Sequence, residues 1–196
     1  MDLRAPLDES TVRSLRLGEE VTVSGTVFIG RDEVHLRALE MHERGEALPA
    51  DLRGGVLYHC GPIAQRTPDG WRIVAAGPTT SARMNSLEPR FIRDLGVRAI
   101  IGKGGMSRPT VEAMREHGCV YLAFPGGAAV LAARGIKRVR RVDWLDLGMP
   151  EALWTVEAER FGPLTVAIDA YGNSLYEEVE RTVGANMEEA RRSLGL

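Results

Sequence analysis

The chain is poor in cysteine, and its two thiols, Cys60 and Cys119, are far apart and have no CxxC partner. Two isolated cysteines supply neither a disulfide framework nor the complete ligand set of a zinc or iron–sulfur site. Cys60 follows an expected strand, where a buried cysteine packs more often than it reacts. The sequence therefore predicts no metal centre within this chain, and Cys60 is left out of the candidate site.

Long apolar runs and an excess of charge are also missing. No run approaches the roughly 20 apolar residues that span a bilayer, and residues 1–6 do not resemble a secretory signal. A formal net charge of −2 and a pI near 6.1 provide no overall attraction to nucleic acid or to an anionic membrane. The basic run 137–141 lacks interleaved aromatic residues, which favours a solvated or subunit-facing edge strand. We expect a cytoplasmic protein with no nucleic-acid or membrane partner.

Several common nucleotide and hydrolase motifs are absent as well. The chain has no GxxxxGK[ST] loop, no GxGxxG after a strand and no G-x-S-x-G elbow. A nucleotide-binding α/β domain, suggested by the glycine turns that follow strands, therefore fits poorly.

What the chain does contain is a change of hydrophobic pattern along its length. Residues 20–28 alternate as a half-buried strand does, and residues 31–43 have helical spacing. The later units read strand, glycine turn, helix, which predicts parallel strands with crossover helices. These units are 97–101 with a helix at 109–117 stopped by Gly118, and 119–124 with a helix at 128–133 stopped by Gly135. Further strands are expected at 55–59, 72–76, 139–142, 154–158 and 164–168, and a helix at 174–194 broken or bent near Gly184.

Length and composition favour one folded unit over residues 1–196. The chain is long enough to bury a sizeable core, and 44% hydrophobic with 27% charged residues is ordinary globular usage. Its 22 glycines indicate many tight turns. Pattern alone predicts a mixed α/β protein.

The most informative segment is 101–106, where Lys103 lies among Gly102, Gly104 and Gly105 directly after an apolar strand. Glycines let the backbone approach a ligand and present its N–H groups, and the lysine adds a positive charge. A solvated loop lysine is the ordinary alternative, but the flanking glycines favour contact with a small anion.

A second segment at a strand end, 77–84, indicates the same ligand chemistry. It offers the hydroxyls of Thr79, Thr80 and Ser81 and the guanidinium of Arg83, which can hold a carboxylate through two hydrogen bonds. The threonines could also simply cap the helix expected from Ser81, and Arg83 could be a surface residue. Together the two segments predict an acidic small-molecule substrate.

Further matches extend along the chain: Gly30-Arg31-Asp32 followed by His35, Tyr58-His59-Cys60-Gly61-Pro62, the turn Phe124-Pro125-Gly126-Gly127-Ala128-Ala129, Leu147-Gly148-Met149, Glu151-Ala152-Leu153-Trp154, and Asp169, Gly172 and Asn173. With 77–84 and 102–106, these motifs resemble the beta-type subunit, or C-terminal domain, of class I iron–sulfur fumarate hydratases and L-tartrate dehydratases. The resemblance spans roughly 21–176, so the termini 1–20 and 177–196 lie outside it. Glu33 and Val34, where the family tends to have small residues, and the inserted Pro150 are departures.

This resemblance implies a swivelling β/β/α domain with a mixed sheet and crossover helices. The function it implies is that of the beta subunit of a hydro-lyase that hydrates fumarate reversibly to malate. Thr79 matches the family's proton-transfer position, and the substrate carboxylates would bind Arg31, Arg83 and Lys103. Residues expected to support these are Asp32, His35, Thr80, Gly102 and Gly104. Asp32 and His35, three residues apart, are expected on one helical face.

The resemblance also implies what other chains provide. The [4Fe–4S] cluster of the family is held by three cysteines of an alpha-type partner, so the active site would be completed at an interface. The partners expected here are that alpha-type subunit and a small dicarboxylate, and the domain could also form a homodimer.

Two alternatives to fumarate hydration stay open at this point. One is an L-tartrate dehydratase beta subunit, because nothing in the sequence identifies the substrate beyond a dicarboxylate. The other is a stand-alone module that binds organic acids or regulates another protein.

Overall fold

The computed structural model describes residues 1–194. Its strands are β1 (Asp2–Ala5), β2 (Glu20–Gly30), β3 (Val56–His59), β4 (Ile63–Thr67), β5 (Gly70–Ala75), β6 (Ala99–Gly102), β7 (Val120–Ala123), β8 (Ile136–Asp143) and β9 (Leu153–Ile168). Its α-helices are α1 (Glu9–Ser14), α2 (Asp32–Glu43), α3 (Glu88–Leu95), α4 (Arg108–His117), α5 (Ala129–Gly135) and α6 (Leu175–Leu194). Short 3₁₀ helices occupy Ser81–Met84, Leu145–Leu147 and Met149–Glu151.

The main sheet is built around four neighbouring strands, β2, β3, β6 and β7, that run parallel. The long strand β9 pairs antiparallel with both β7 and β2, so the ladder β2–β3–β6–β7–β9 closes on itself. β1 lies beside the first half of β2, β8 lies at the edge beside β9, and β4 and β5 form a separate hairpin. The predicted mixed α/β fold with parallel strands and crossover helices is confirmed.

Successive residues of the parallel strands point into two different apolar cores. Val56 and Tyr58 pack with Trp154 in one core, whereas Leu57 and its neighbour Ile100 lie in the other. Side chains alternate between the two faces of a strand, so a strand with both faces covered is apolar throughout. The first core includes Trp154, Val156 and Phe161 of β9, and helices α2, α3 and α4 cover the second core.

Proline and glycine mark the ends of two of the three helices that cover the second core, α3 and α4. α4 has a proline in its first turn and ends at Gly118, and α3 likewise ends at Gly96; both glycines are left-handed, with φ of 66° and 68°. Proline suits the start of a helix because the N–H that it lacks would be unpaired there, and glycine adopts positive φ without steric cost. The predicted stop at Gly118 is confirmed, whereas α3 was not predicted.

Some expectations for the second half of the chain were wrong. The strands expected at 154–158 and 164–168 are parts of one strand, β9, because it continues across the turn-forming residues between them. The terminal helix α6 runs through Gly184 without a break; a glycine in a helix costs only about 1 kcal/mol. Gly135 is the last residue of α5 rather than a stop beyond it. Residues 195–196, part of the expected domain and of the terminal segment 177–196, lie outside the described residues.

The basic run 137–141 lies on the edge strand β8, as predicted. Lys137 lies 3.6 Å from Glu159, and Arg140 pairs with Glu157 at 2.7 Å. The positive charge of the run 137–141 is therefore largely balanced by acidic residues of the neighbouring strand β9. Across residues 1–194, no helix combines the length and apolar character required to cross a bilayer.

Candidate functional site

The segments singled out from the sequence meet at one edge of the sheet. Arg31 follows the end of β2, Lys103 follows the end of β6, and Phe124 follows the end of β7. Because these strands are parallel, their carboxyl ends share an edge. The topology therefore places residues from distant parts of the chain around one region.

The hydroxyl-bearing segment 77–84 lies directly against the lysine segment. Thr80 and Lys103 form a parallel β-bridge, and the Ser81 amide donates to the Lys103 carbonyl at 3.0 Å. The Thr79 amide donates to the carbonyl of His59 at 2.7 Å. The two loops, predicted separately to bind anions, are thus joined by their backbones.

Gly102 is required for this contact. A Cβ on Gly102 would lie 1.9 Å from Ser81 Oγ and 3.0 Å from the Tyr121 hydroxyl, so any side chain would separate the two loops. Gly104 has φ of 74°, a conformation that other residues adopt at a cost. Both glycines therefore shape the turn that carries Lys103.

Lys103 lies in a surface depression of about 490 Å³ that it shares with Phe124, Pro125, Gly126 and Tyr176. Within residues 1–194 it forms no ion pair. Glu20 also lines the depression, but Lys103 is half-buried and its ammonium donors are available to an anion that enters. The turn at 124–127 forms part of the wall.

The two arginines of the candidate site are paired with acidic residues of the same chain. Arg83 Nη2 lies 2.9 Å from Asp32 Oδ2, and Arg31 forms an ion pair with Glu151. A guanidinium carries five N–H groups, so each arginine has donors left for a substrate carboxylate. Glu151 was not singled out from the sequence, although it belongs to a matching motif.

Thr80 precedes the 3₁₀ helix Ser81–Met84, yet its side chain makes no capping hydrogen bond. The capping interpretation of the hydroxyls is therefore wrong for Thr80. Asp32 and His35 both lie in the first turn of α2, as expected, but they differ in burial: Asp32 reaches Arg83 at the surface, whereas His35 is fully buried. His35 lies beneath the surface residues.

A buried polar cluster lies under the site and was missed from the sequence. Five fully buried residues form this cluster, which we call the anchor cluster: Glu88, His35, His59, Ser81 and Tyr121. His35 Nε2 lies 3.1 Å from Glu88 Oε2, and His59 Nε2 lies 3.0 Å from the same oxygen, although its angle is poor for a hydrogen bond.

One signal for Glu88 was present in the sequence. In α3 the buried residues Phe91, Ile92 and Leu95 follow Glu88 at helical spacing, so Glu88 stands at an apolar-face position. A carboxylate there is costly unless it is paired.

Charges and hydrogen bonds assign the protonation of the cluster. Burial lowers the pKa of His35, but the carboxylate of Glu88 outweighs burial and the net pKa is raised. Burial lowers the pKa of His59, and Glu88 only partly offsets this effect. Burial tends to raise the pKa of Glu88, but the two imidazoles lower it below its usual range. These shifts favour the ionised form of Glu88, the cationic form of His35 and the neutral form of His59.

The hydrogen-bond partners agree with this assignment. His35 Nδ1 lies 2.9 Å from the Arg31 carbonyl, which only accepts, so both ring nitrogens of His35 act as donors. His59 Nδ1 lies 2.9 Å from Ser81 Oγ, and the Tyr121 hydroxyl donates to the same oxygen at 2.9 Å. Ser81 can then donate its proton to a neutral His59.

His35, His59 and Glu88 are also the one group of three among the described residues with spacing that a metal ion could use. Both nitrogens of His35 are already engaged as donors, and the group is completely buried. We therefore interpret it as a hydrogen-bonded ion pair. Burial raises the pKa of Cys60 to about 12 and also raises that of Cys119, so both thiols remain protonated. Two buried thiols do not fit the ligand set of an iron–sulfur cluster.

Taken together, these observations define an α/β domain whose cationic loops lie where its parallel strands end. The chain belongs to the Fumarase C-terminus family, which matches residues 1–179. The match includes residues 1–20, which the motif resemblance had left outside. β1 explains this, since it extends the main sheet by pairing with β2.

Proteins with known names show the same kinship. The chain is 47% identical to a protein of Methanocaldococcus jannaschii provisionally named L(+)-tartrate dehydratase subunit beta, over 93% of this chain and 94% of the relative. It is 40% identical to the L(+)-tartrate dehydratase subunit beta of Escherichia coli, over 90% and 86%. A Geobacillus stearothermophilus protein provisionally named fumarate hydratase class I is 40% identical over 92% of this chain but only 34% of its own length.

Proposed function

We propose that the chain is the beta subunit of a hydro-lyase that adds water reversibly to fumarate to give malate. The observation that carries the proposal is the junction of segments 77–84 and 102–106, where Thr80 pairs with Lys103. This junction brings a hydroxyl-rich loop and a lysine that forms no ion pair within residues 1–194 together at the carboxyl ends of the parallel strands. Family membership supports the same class of reaction.

Binding of a dicarboxylate requires compensating positive charge. Fumarate and malate carry two carboxylates, and a desolvated carboxylate is costly unless it is paired and hydrogen-bonded. Lys103 provides a point charge, while Arg31 and Arg83 provide planar donors that can bind a carboxylate through two bonds. The proposed role of this chain is therefore to hold and orient the substrate.

Thr79 is the proposed proton-transfer residue. Its amide is fixed on the His59 carbonyl at 2.7 Å, so its place in the loop is well determined. A threonine hydroxyl is a poor base by itself and needs a nearby cation or a carboxylate of the partner to activate it. Proton transfer at the carbon next to the carboxylate is the step that such a residue would assist.

The cofactor proposed for the complete enzyme is a [4Fe–4S] cluster bound by an alpha-type partner. This chain has two buried cysteines, fewer than the three thiolates that such a cluster needs. Bound in the partner, the cluster would supply a Lewis acid for the substrate hydroxyl or water. The Geobacillus relative supports this division of roles, since the chain matches only about a third of it.

Reconstitution tests the proposal. The purified chain should show neither fumarate hydration nor the visible absorbance of an iron–sulfur cluster, and co-expression with an alpha-type subunit under anaerobic conditions should give both. We expect the complex to be a dimer of heterodimers by light scattering. Turnover by the isolated chain would contradict the shared site, and separate monomers at micromolar concentration would contradict the complex.

L-tartrate is the second candidate substrate, and the names of two relatives favour it. Tartrate is also a four-carbon dicarboxylate, so the same three cations would bind it, and its extra hydroxyl could be recognised by the partner. Values of kcat/KM for fumarate, malate and L-tartrate, measured on the same complex, decide between the two. A monomeric chain that binds these acids without turnover in any complex would instead indicate a stand-alone module.

A further inference from the structure

We propose that Glu88 is a positioning residue for the hydro-lyase reaction, an inference that rests on the function proposed above. Its buried carboxylate fixes two imidazoles, and these in turn fix the loops that carry the proposed substrate-binding residues. Glu88 is fully buried and therefore acts through other residues rather than on the substrate itself.

The first branch runs through His35 to the arginine loop. His35 Nε2 lies on Glu88 Oε2 at 3.1 Å, and His35 Nδ1 lies on the Arg31 carbonyl at 2.9 Å. The imidazole thereby connects a buried charge to the backbone of Arg31, one residue before α2 begins. Because both ring nitrogens are donors, the ring has one orientation that satisfies both partners.

The second branch runs through His59 to the threonine loop. The His59 carbonyl accepts from the Thr79 amide at 2.7 Å, and His59 Nδ1 lies 2.9 Å from Ser81 Oγ. His59 thus holds segment 77–84 at two points, one through its backbone and one through its ring. The ring is in turn placed beside Glu88, 3.0 Å from Oε2.

Ser81 transmits the second branch to the lysine loop. Its amide donates to the Lys103 carbonyl at 3.0 Å, while its hydroxyl accepts from Tyr121 at 2.9 Å. The missing side chain of Gly102 leaves the space that Ser81 Oγ occupies. One carboxylate is therefore linked to the loop of Arg31 by hydrogen bonds through His35, and to the loops of Thr79 and Lys103 through its 3.0 Å contact with His59.

The buried charge of Glu88 is better explained by a role in orienting the two imidazoles than by a role in stabilising the fold. Replacement of a buried ion pair by apolar groups is often neutral or stabilising, so a buried pair adds little to stability by itself. Its hydrogen bonds, however, allow only a narrow range of ring orientations. A small shift of residues that contact the substrate lowers the rate strongly, because the reacting groups lose their alignment.

The test compares variants of the assembled alpha–beta complex at equal cluster content. Glu88→Gln keeps the shape but removes the charge, and we expect kcat/KM for fumarate or L-tartrate to fall by up to about a hundredfold. Ser81→Ala breaks only the second branch and should cost less. The double variant should be no worse than Glu88→Gln alone, since both changes act along one chain of contacts.

Asp169→Asn is the matched control. Asp169 is a carboxylate that is only 2% exposed, and it accepts from the amides of Tyr171 and Asn173 in a turn before α6. This variant should lower the unfolding midpoint while kcat/KM of the folded complex stays unchanged. If Glu88 had only a structural role, Glu88→Gln would likewise lower the unfolding midpoint and leave kcat/KM unchanged.

Each outcome has a distinct meaning. Folded Glu88→Gln and Ser81→Ala complexes with unchanged kcat/KM would overturn the positioning role. If Glu88→Gln does not fold, Ser81→Ala and Tyr121→Phe decide, and unchanged kcat/KM in both overturns the proposal. An unmodified, cluster-loaded complex that is inactive on both substrates would overturn the proposed function, and this inference with it.

Discussion

Arg83 and Asp32 form a two-point ion pair, with Nε donating to Oδ1 at 3.1 Å and Nη2 at 2.9 Å from Oδ2. The pair joins the start of α2 to the 3₁₀ helix Ser81–Met84. The Arg83 side chain is 52% exposed, and pairs of this kind stabilise by at most about 1 kcal/mol. The main consequence of the pair is therefore the orientation of the guanidinium, which the proposed substrate contact requires.

The first prediction follows from this pair. Asp32→Asn should raise KM for the dicarboxylate several-fold, because Arg83 loses its fixed orientation, and should change the free energy of unfolding by less than about 1 kcal/mol. Asp146→Asn is the control, since Asp146 pairs with Arg37 in the same manner, at 2.7 Å. An equal rise in KM for both variants would argue against a specific role for Asp32.

A second prediction concerns Lys103. Lys103→Met leaves one substrate charge unpaired in the pocket, at a cost of roughly 2 to 5 kcal/mol, which lowers kcat/KM on the order of thirtyfold or more. Arg83→Met should act in the same direction. Neither variant should shift the unfolding midpoint much, because no apolar core is removed.

The control for this prediction is Lys137→Met, which removes a lysine from the edge strand β8. Its activity should equal that of the unmodified complex. Near-normal kcat/KM in the Lys103→Met and Arg83→Met complexes with intact clusters would show that the two loops are structural turns only.

The third prediction distinguishes a role of Thr79 in proton transfer from a role in substrate binding. Thr79→Val keeps the side-chain shape and removes the hydroxyl, so it should lower kcat more than it raises KM, because a proton-transfer contact matters mainly after the substrate is bound. Steady-state kinetics measure both constants, with Thr67→Val in the β4–β5 hairpin as control. A rise in KM at constant kcat would assign Thr79 to binding alone.

The last prediction is the pH dependence of the stability contributed by Glu88. The pKa of His35 is raised above 6.5 by its partners, although burial opposes the shift. The ion pair of His35 therefore adds to the free energy of unfolding. This contribution is fully present below the pKa of the unfolded histidine, near 6.5, and is lost as the pH rises through the pKa of the folded one. The lowered pKa of Glu88, which burial alone would raise, contributes stability above its unfolded value of 4.5 that is lost at lower pH.

Glu88→Gln removes both contributions. The loss of stability should be about 3–5 kcal/mol at pH 6, as for other broken buried pairs, and should become smaller as the pH rises to 9. The pKa of His59 is lowered, chiefly by burial, and Glu88 partly offsets this effect, so Glu88→Gln lowers that pKa further. This change destabilises the variant more at low pH, which is the same direction as the loss of the His35 contribution. Urea unfolding of the chain at several pH values measures the difference, and a loss that grows with pH contradicts the assignment.

The local sequence pattern was sufficient to predict many of the strands and helices. Strand β2, helix α2 and helix α4 with its stop at Gly118 all lie close to where hydrophobic spacing and glycine predicted them. The strand-to-turn segments at 77–84 and 102–106 were also recognisable, because glycines, hydroxyls and a cation after an apolar run are local features. The short strand β1 and helix α1 were missed, although Asp8 caps α1 and was a local signal for its start.

Residue types and spacing by themselves therefore determined the α/β class and the two segments suited to an acidic ligand, whereas Arg31 was a candidate only through the family resemblance. Only the tertiary structure decided that Arg83 pairs with Asp32, that Thr80 lies beside Lys103, and that Glu88 is buried between two histidines. These contacts join residues far apart in sequence, and they depend on the order and register of the strands. Side-chain pairing of this kind is a property of the packed sheet and helices, where burial makes each unpaired charge costly.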